Sequence, residues 1–106
     1  MCRKESVGLD IRNINGIYTL FGRGNCTDVD IFIPQHVQKI NEGAFHRDRN
    51  LHFIDCANVE IIGSYAFANS GLQYFSSMKM HDVGLYVFEN CKILAASVPC
   101  GYSILF

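Results

Sequence analysis

The chain repeats itself. The segment Ile40-Asn41-Glu42-Gly43-Ala44-Phe45 returns as Ile62-Gly63-Ser64-Tyr65-Ala66-Phe67 and again as Val83-Gly84-Leu85-Tyr86-Val87-Phe88, with the phenylalanines 22 and then 21 residues apart. Other columns keep the same interval. Leu51, Leu72 and Ile93 form one; Ile31, Ile54, Phe75 and Ala96 another; Ile33, Cys56, Ser77 and Val98 a third. Val37, Val59, Met80 and Tyr102 follow, then Ile40, Ile62, Val83 and Leu105, and a corner column runs Pro34, Ala57, Met78, Pro99. An interval of this size is one coil of a solenoid, because a single coil has too little apolar surface to bury alone and must stack on its neighbours.

Within a coil the pattern is that of short extended pieces. Leu51, Ile54 and Cys56 read as an inward-facing set on one strand, and Asp55 between the last two points outward by period-two alternation. Pro34 and Pro99 close that strand, since proline cannot donate to a ladder. A second extended piece carries Val59 and Ile62 inward. The Ala-Phe step then turns the chain, the small residue admitting close backbone approach and the phenyl ring filling the coil. No amphipathic stretch of ten or more residues suggests a helix. The expected fold is mainly β, a solenoid of about three to four coils of 21–23 residues.

The run Ile33-Pro34-x-x-Val37-x-x-Ile40-x-x-x-Ala44-Phe45, followed by Leu51-x-x-Ile54, resembles the BspA-type (treponema-type) leucine-rich repeat. The resemblance covers residues 28–106, with the last coil incomplete. Residues 1–27 form a lead-in or capping segment, in which Tyr18-Thr19-Leu20-Phe21-Gly22-Arg23-Gly24 resembles the short β-hairpin that precedes such arrays. Cys56 and Ser77 depart from the pattern at core positions usually filled by Ile or Leu, and Ala57 and Met78 replace the corner proline. The resemblance implies a leucine-rich-repeat solenoid and binding rather than chemistry. Its members commonly adhere to host or matrix proteins from the cell surface or after secretion, and it offers no catalytic residues to map.

Composition narrows the partners. The 106 residues are 49% apolar and 18% charged, with a formal net charge of −1 and no basic cluster. This is the composition of one globular domain; it argues against a nucleic-acid partner and a polybasic membrane patch. No apolar run is long enough for a transmembrane segment. Glu5 and Asp10 follow Arg3 and Lys4 where a signal peptide needs its apolar stretch, so a complete chain would stay inside the cell, against the habit of the family it resembles. The five cysteines are odd in number and have no metal-knuckle or redox-pair spacing, which favours a reducing compartment. Asn25-Cys26-Thr27 fits the N-glycosylation acceptor pattern and is expected to be silent without export.

Two candidate surfaces follow. Asp30 and Phe32, Phe53 and Asp55, Tyr74 and Ser76, and Ala95 and Ser97 should face outward from successive strands about 4.8 Å apart, with Phe53 beside Tyr74 and Phe32 diagonal to them. Phe32, Phe53, Asp55, Tyr74 and Ser76 are the candidate anchor for a protein partner; alternatively these side chains are cross-strand pairs that hold register. The second surface is the C-terminal edge, Pro99–Phe106, where no Ala-Phe segment follows Leu105. There Tyr102, Ile104, Leu105 and Phe106 either mediate self-association into a homo-oligomer or fold back as a cap. No cofactor or metal is expected. His36, His46, His52 and His81 lack a His or Cys partner at ligand spacing and read as solvated loop histidines. Cys56 and Cys91 read as packing thiols.

Overall fold

The structure, a computed structural model, describes residues 5–99, and these contain nine strands and no helix. β1 (Asp10–Ile14) and β2 (Ile17–Gly22) form an antiparallel hairpin. Each following coil then supplies a longer strand and a two-residue strand. These are β3 (Asp30–Phe32) and β4 (Lys39–Ile40), β5 (Phe53–Cys56) and β6 (Ile61–Ile62), and β7 (Tyr74–Ser77) and β8 (Asp82–Val83), before β9 (Ala95–Ser97). They stack into two sheets, β1-β2-β4-β6-β8 and β3-β5-β7-β9, parallel everywhere except within the hairpin. The result is a β-solenoid of about four turns.

The rungs are the sequence columns. Ile31, Ile54, Phe75 and Ala96 stand in register across one sheet, and Leu20, Ile40, Ile62 and Val83 across the other. Ile31, Ile54, Leu20 and Ile40 are fully buried, and Phe45, Phe67 and Phe88 stack face to face down the interior with ring centroids 5.7 and 5.6 Å apart. Phe75 meets Phe67 and Phe88 edge-on, at 5.7 and 4.9 Å, which ties the phenylalanine column to the strand side. Each such ring pair contributes about 0.5–1.5 kcal/mol beyond its area burial. Leu51 is buried as expected but precedes its strand, which begins at Phe53. Burial fades along the stack: Val83 is half-buried and Ala96, in the column of Ile54, is exposed. Column members Tyr102 and Leu105 lie outside the described residues.

A third side closes each coil, running through the turns at 41–48, 63–70 and 84–91. The amides of Gly43, Phe45 and Arg47 donate to the carbonyls of Ser64, Ala66 and Ala68, and those of Tyr65, Phe67 and Asn69 to Leu85, Val87 and Glu89. Two backbone positions per turn are left-handed: Gly43, Tyr65 and Tyr86 with φ of 67°, 59° and 57°, and Arg47, Asn69 and Asn90 with 65°, 58° and 58°. Alternate amides thereby point at the next coil, so the turn is hydrogen-bonded without being a strand. Gly63 keeps the coils close here: a Cβ on it would stand 2.5 Å from the amide nitrogen of Glu42.

The N-terminal end is covered. The hairpin turns at Asn15-Gly16, both at positive φ, with the Gly16 amide donating to Asn13 Oδ1 at 2.8 Å. It therefore spans Asp10–Gly22 rather than beginning at Tyr18, because Asn-Gly supplies the two left-handed residues of a tight hairpin turn. β2 is also a solenoid rung, paired in parallel with β4. Ser6 exchanges bonds with Phe32 at the outer edge of β3, its amide to the carbonyl and its hydroxyl from the amide, both at 2.9 Å, and Glu5 accepts from the Gln35 amide. Arg23 ties this end to the next coil through two bonds to the Asp48 carboxylate, at 2.9 and 3.2 Å, and bonds to the carbonyls of Cys26 and Asp28.

Candidate protein-binding face

The outward face of β3-β5-β7-β9 is built by strand alternation, since Ile31, Ile54, Cys56, Phe75 and Ser77 point into the core and the residues between them point out. Phe53 lies in register with Asp30 on one side and Tyr74 on the other; Phe32 lies in register with Asp55, and Asp55 with Ser76. The ring of Phe53 packs against Phe32, centroids 5.4 Å apart and planes tilted by 56°. Tyr74 instead meets the ring of His52 edge-on at 5.1 Å, and His52 Nδ1 is 3.1 Å from Asp30 Oδ1. Phe32, Phe53, Asp55 and Ser76 are half-buried and Tyr74 is exposed. The face is a low aromatic ridge flanked by carboxylates.

The structure thus gathers the five strand-face candidates on one surface, while Tyr102, Ile104, Leu105 and Phe106 lie outside the described residues. All four histidines are exposed, and all four reach a neighbouring rung, His36 by meeting the Tyr18 ring edge-on at 4.8 Å. His52 approaches Asp30, His81 Nε2 lies 3.2 Å from Glu60 Oε1, and His46 Nε2 lies 3.4 Å from Asn69 Nδ2. These links were not legible as histidine motifs; they follow from partners standing one coil away in sequence. Among the described residues, no group of three or more His, Cys, Asp or Glu side chains is placed to hold a metal ion. Cys26, Cys56 and Cys91 are buried, and Cys91 donates to the Phe67 carbonyl at 2.8 Å. Cys2 and Cys100 lie outside the described residues. Among the described residues no helix is long and apolar enough to cross a membrane.

A further aromatic pair was not singled out from the sequence. Tyr65 and Tyr86 stack on the turn side, centroids 5.4 Å apart, 40% and 58% exposed. Their signal was present as the column Gly43, Tyr65, Tyr86, one position before the small residue of the Ala-Phe step.

No curated protein and no solved structure matches the chain. The sequence model of the BspA type leucine rich repeat region does match it, in six copies across residues 17–95. That span runs from β2 through the first residue of β9 and so takes in the parallel rungs up to the start of the last described one. The chain belongs to the BspA-type leucine-rich repeat family.

Proposed function

We propose that the chain is a non-catalytic, adhesion-type protein-binding module that captures its partner on the outward face of β3-β5-β7-β9, with Phe32, Phe53 and Tyr74 as anchors and Asp55 and Ser76 as the polar surround. Repeat modules of this family commonly bind proteins. The observation that carries the reading is the Phe32–Phe53 pair, held on a rigid sheet with Tyr74 one rung further. Aromatic side chains with few torsions lose little entropy on binding and dominate interface energetics. The test is the double substitution Phe53→Ser with Tyr74→Ser. It should abolish retention of a protein partner that the wild-type chain holds, with the circular dichroism spectrum unchanged. Retained binding sinks the reading, and lost folding assigns the pair to register instead.

A second reading, self-assembly through the C-terminal end of the described stack, is favoured by the exposure of its last rung, Ala95–Ser97. Met78, Leu85, Tyr86 and Leu94, between β7 and β9, are 73%, 70%, 58% and 60% exposed; towards the opposite end Val7 and Val29 are exposed too, at 79% and 52%, but there the hairpin and the Glu5–Ser6 contacts cover the stack. Ends so unlike favour two C-terminal ends meeting about a twofold axis over a head-to-tail fibre. Light scattering should then report a dimer that Leu94→Lys with Ala96→Lys returns to monomer; a monomer at millimolar concentration ends this reading.

A further inference from the structure

The turn side carries a ladder with one rung missing. Tyr86 and Tyr65 occupy successive rungs, ring over ring, and Gly43 occupies the next one with the same left-handed backbone and no side chain. A Cβ placed on Gly43 would find nothing nearer than His46 Cβ at 3.9 Å, so the space beyond the Tyr65 ring is open. Around it lies a groove of about 370 Å³ lined by Glu42, Gly43, His46, Tyr65, Asn69 and Glu89. Rungs are about 4.8 Å apart, and a flat group some 3.4 Å thick stacks within one such step.

The polar groups of the groove are already sorted. Asn90 Nδ2 donates to Asn69 Oδ1 at 2.8 Å, which fixes the Asn69 amide so that its Nδ2 faces His46 Nε2 at 3.4 Å. The His46 ring also meets the edge of Tyr65, centroids 6.4 Å apart. Among the described residues Glu42 and Glu89, both exposed, have no ion-pair or side-chain hydrogen-bond partner, and no lysine or arginine lines the groove. The walls thus offer two unpaired carboxylates and an aromatic face. A planar cation satisfies all three at once: a guanidinium stacks on tyrosine and presents a fork of N–H donors to carboxylates, which an ammonium does less well.

We propose that this groove is a second binding site, separate from the strand face, which takes an arginine side chain of a partner protein into the rung left empty by Gly43. The guanidinium lies over Tyr65 and bonds to Glu42, with Glu89, two rungs away, adding electrostatic attraction. The site therefore selects partners with an exposed arginine, by charge complementarity and by the width of the slot.

The test is an amide chemical-shift titration of the whole chain with a tri-arginine peptide, with tri-lysine peptide and cellohexaose as parallel probes at matched ionic strength. Tri-arginine should move the amides of Gly43, Tyr65, Asn69 and Glu89 first and most. Tyr65→Gly, which repeats the arrangement already present at Gly43, should weaken binding by roughly tenfold, as should Glu42→Gln with Glu89→Gln, whereas Tyr65→Phe should retain it. Shifts spread evenly over Glu60, Asp82 and the other surface carboxylates would reduce the effect to net charge and overturn the proposal. Equal affinity for tri-lysine, a response to cellohexaose alone, or undiminished binding by folded Tyr65→Gly would overturn it as well.

Discussion

Ser77 shows how much a single position in a stacked column matters. It occupies the rung beside Cys56, is 1% exposed, and its hydroxyl has no hydrogen-bond partner among the described residues. A buried hydroxyl without a partner costs about 1–3 kcal/mol, whereas an apolar group of similar size in the same place costs nothing of the kind. Ser77→Val should therefore raise the stability by about 1 kcal/mol, read as a higher urea midpoint at unchanged slope. An unchanged or lower midpoint would mean that the hydroxyl is satisfied or the site too tight for a second methyl. Cys91, by contrast, is a buried polarisable group with a carbonyl partner and a neighbouring Ser70 hydroxyl at 3.5 Å. The two positions look alike as small residues in a sequence, and only the local partners separate them.

At the scale of the element, the turn between the short strand and the next coil does what a helix does in other leucine-rich solenoids, with fewer residues. Its two left-handed positions aim alternate amides at the neighbouring coil, and it brings the backbones together at Gly63. The two glycine requirements differ in kind. Gly63 has no positive φ, so Gly63→Ala fails by collision with the Glu42 backbone and should cost about 1–3 kcal/mol of stability by chemical denaturation. Gly43 has open space but φ of 67°, so Gly43→Asn, which tolerates that conformation, should cost less than Gly63→Ala in the same assay. A reversed order would mean that the coil spacing yields more readily than the turn.

At the scale of the whole molecule, the two ends of the described stack differ. The N-terminal end is closed by the hairpin, by Glu5 and Ser6 along β3, and by Arg23 reaching Asp48. The last described rung, Ala95–Ser97, is exposed throughout. In a solenoid each coil is held only by its neighbours, so local opening starts where the described rungs are least buried. Amide hydrogen exchange should follow that gradient. The Phe45 and Phe67 amides, bonded to Ala66 and Val87, should be the slowest, and those of Leu94 and Ala95, bonded to Gln73, the fastest of the rung amides. Uniform protection along the stack would indicate that the C-terminal edge is covered in solution.

The amino-acid sequence by itself determined which residues share a rung. Like side chains returning at a near-constant interval bury their surface only by stacking, and so Phe45, Phe67 and Phe88, or Ile31 and Ile54, have no other economical arrangement. The register, the two-sheet solenoid and the inward set were legible for that reason. The strand-face ridge was legible too, because alternation assigns Phe32, Phe53 and Tyr74 to one side. Ring partners were not, since whether Phe53 turns to Phe32 or to Tyr74 depends on torsions that periodicity does not encode. The tertiary structure alone decided the contacts between turns: Tyr65 on Tyr86, Arg23 on Asp48, His52 beside Asp30, and the gap over Gly43. Apolar spacing records how far the chain travels before it returns; the direction of polar and aromatic side chains on a left-handed turn is set only when the next coil is in place.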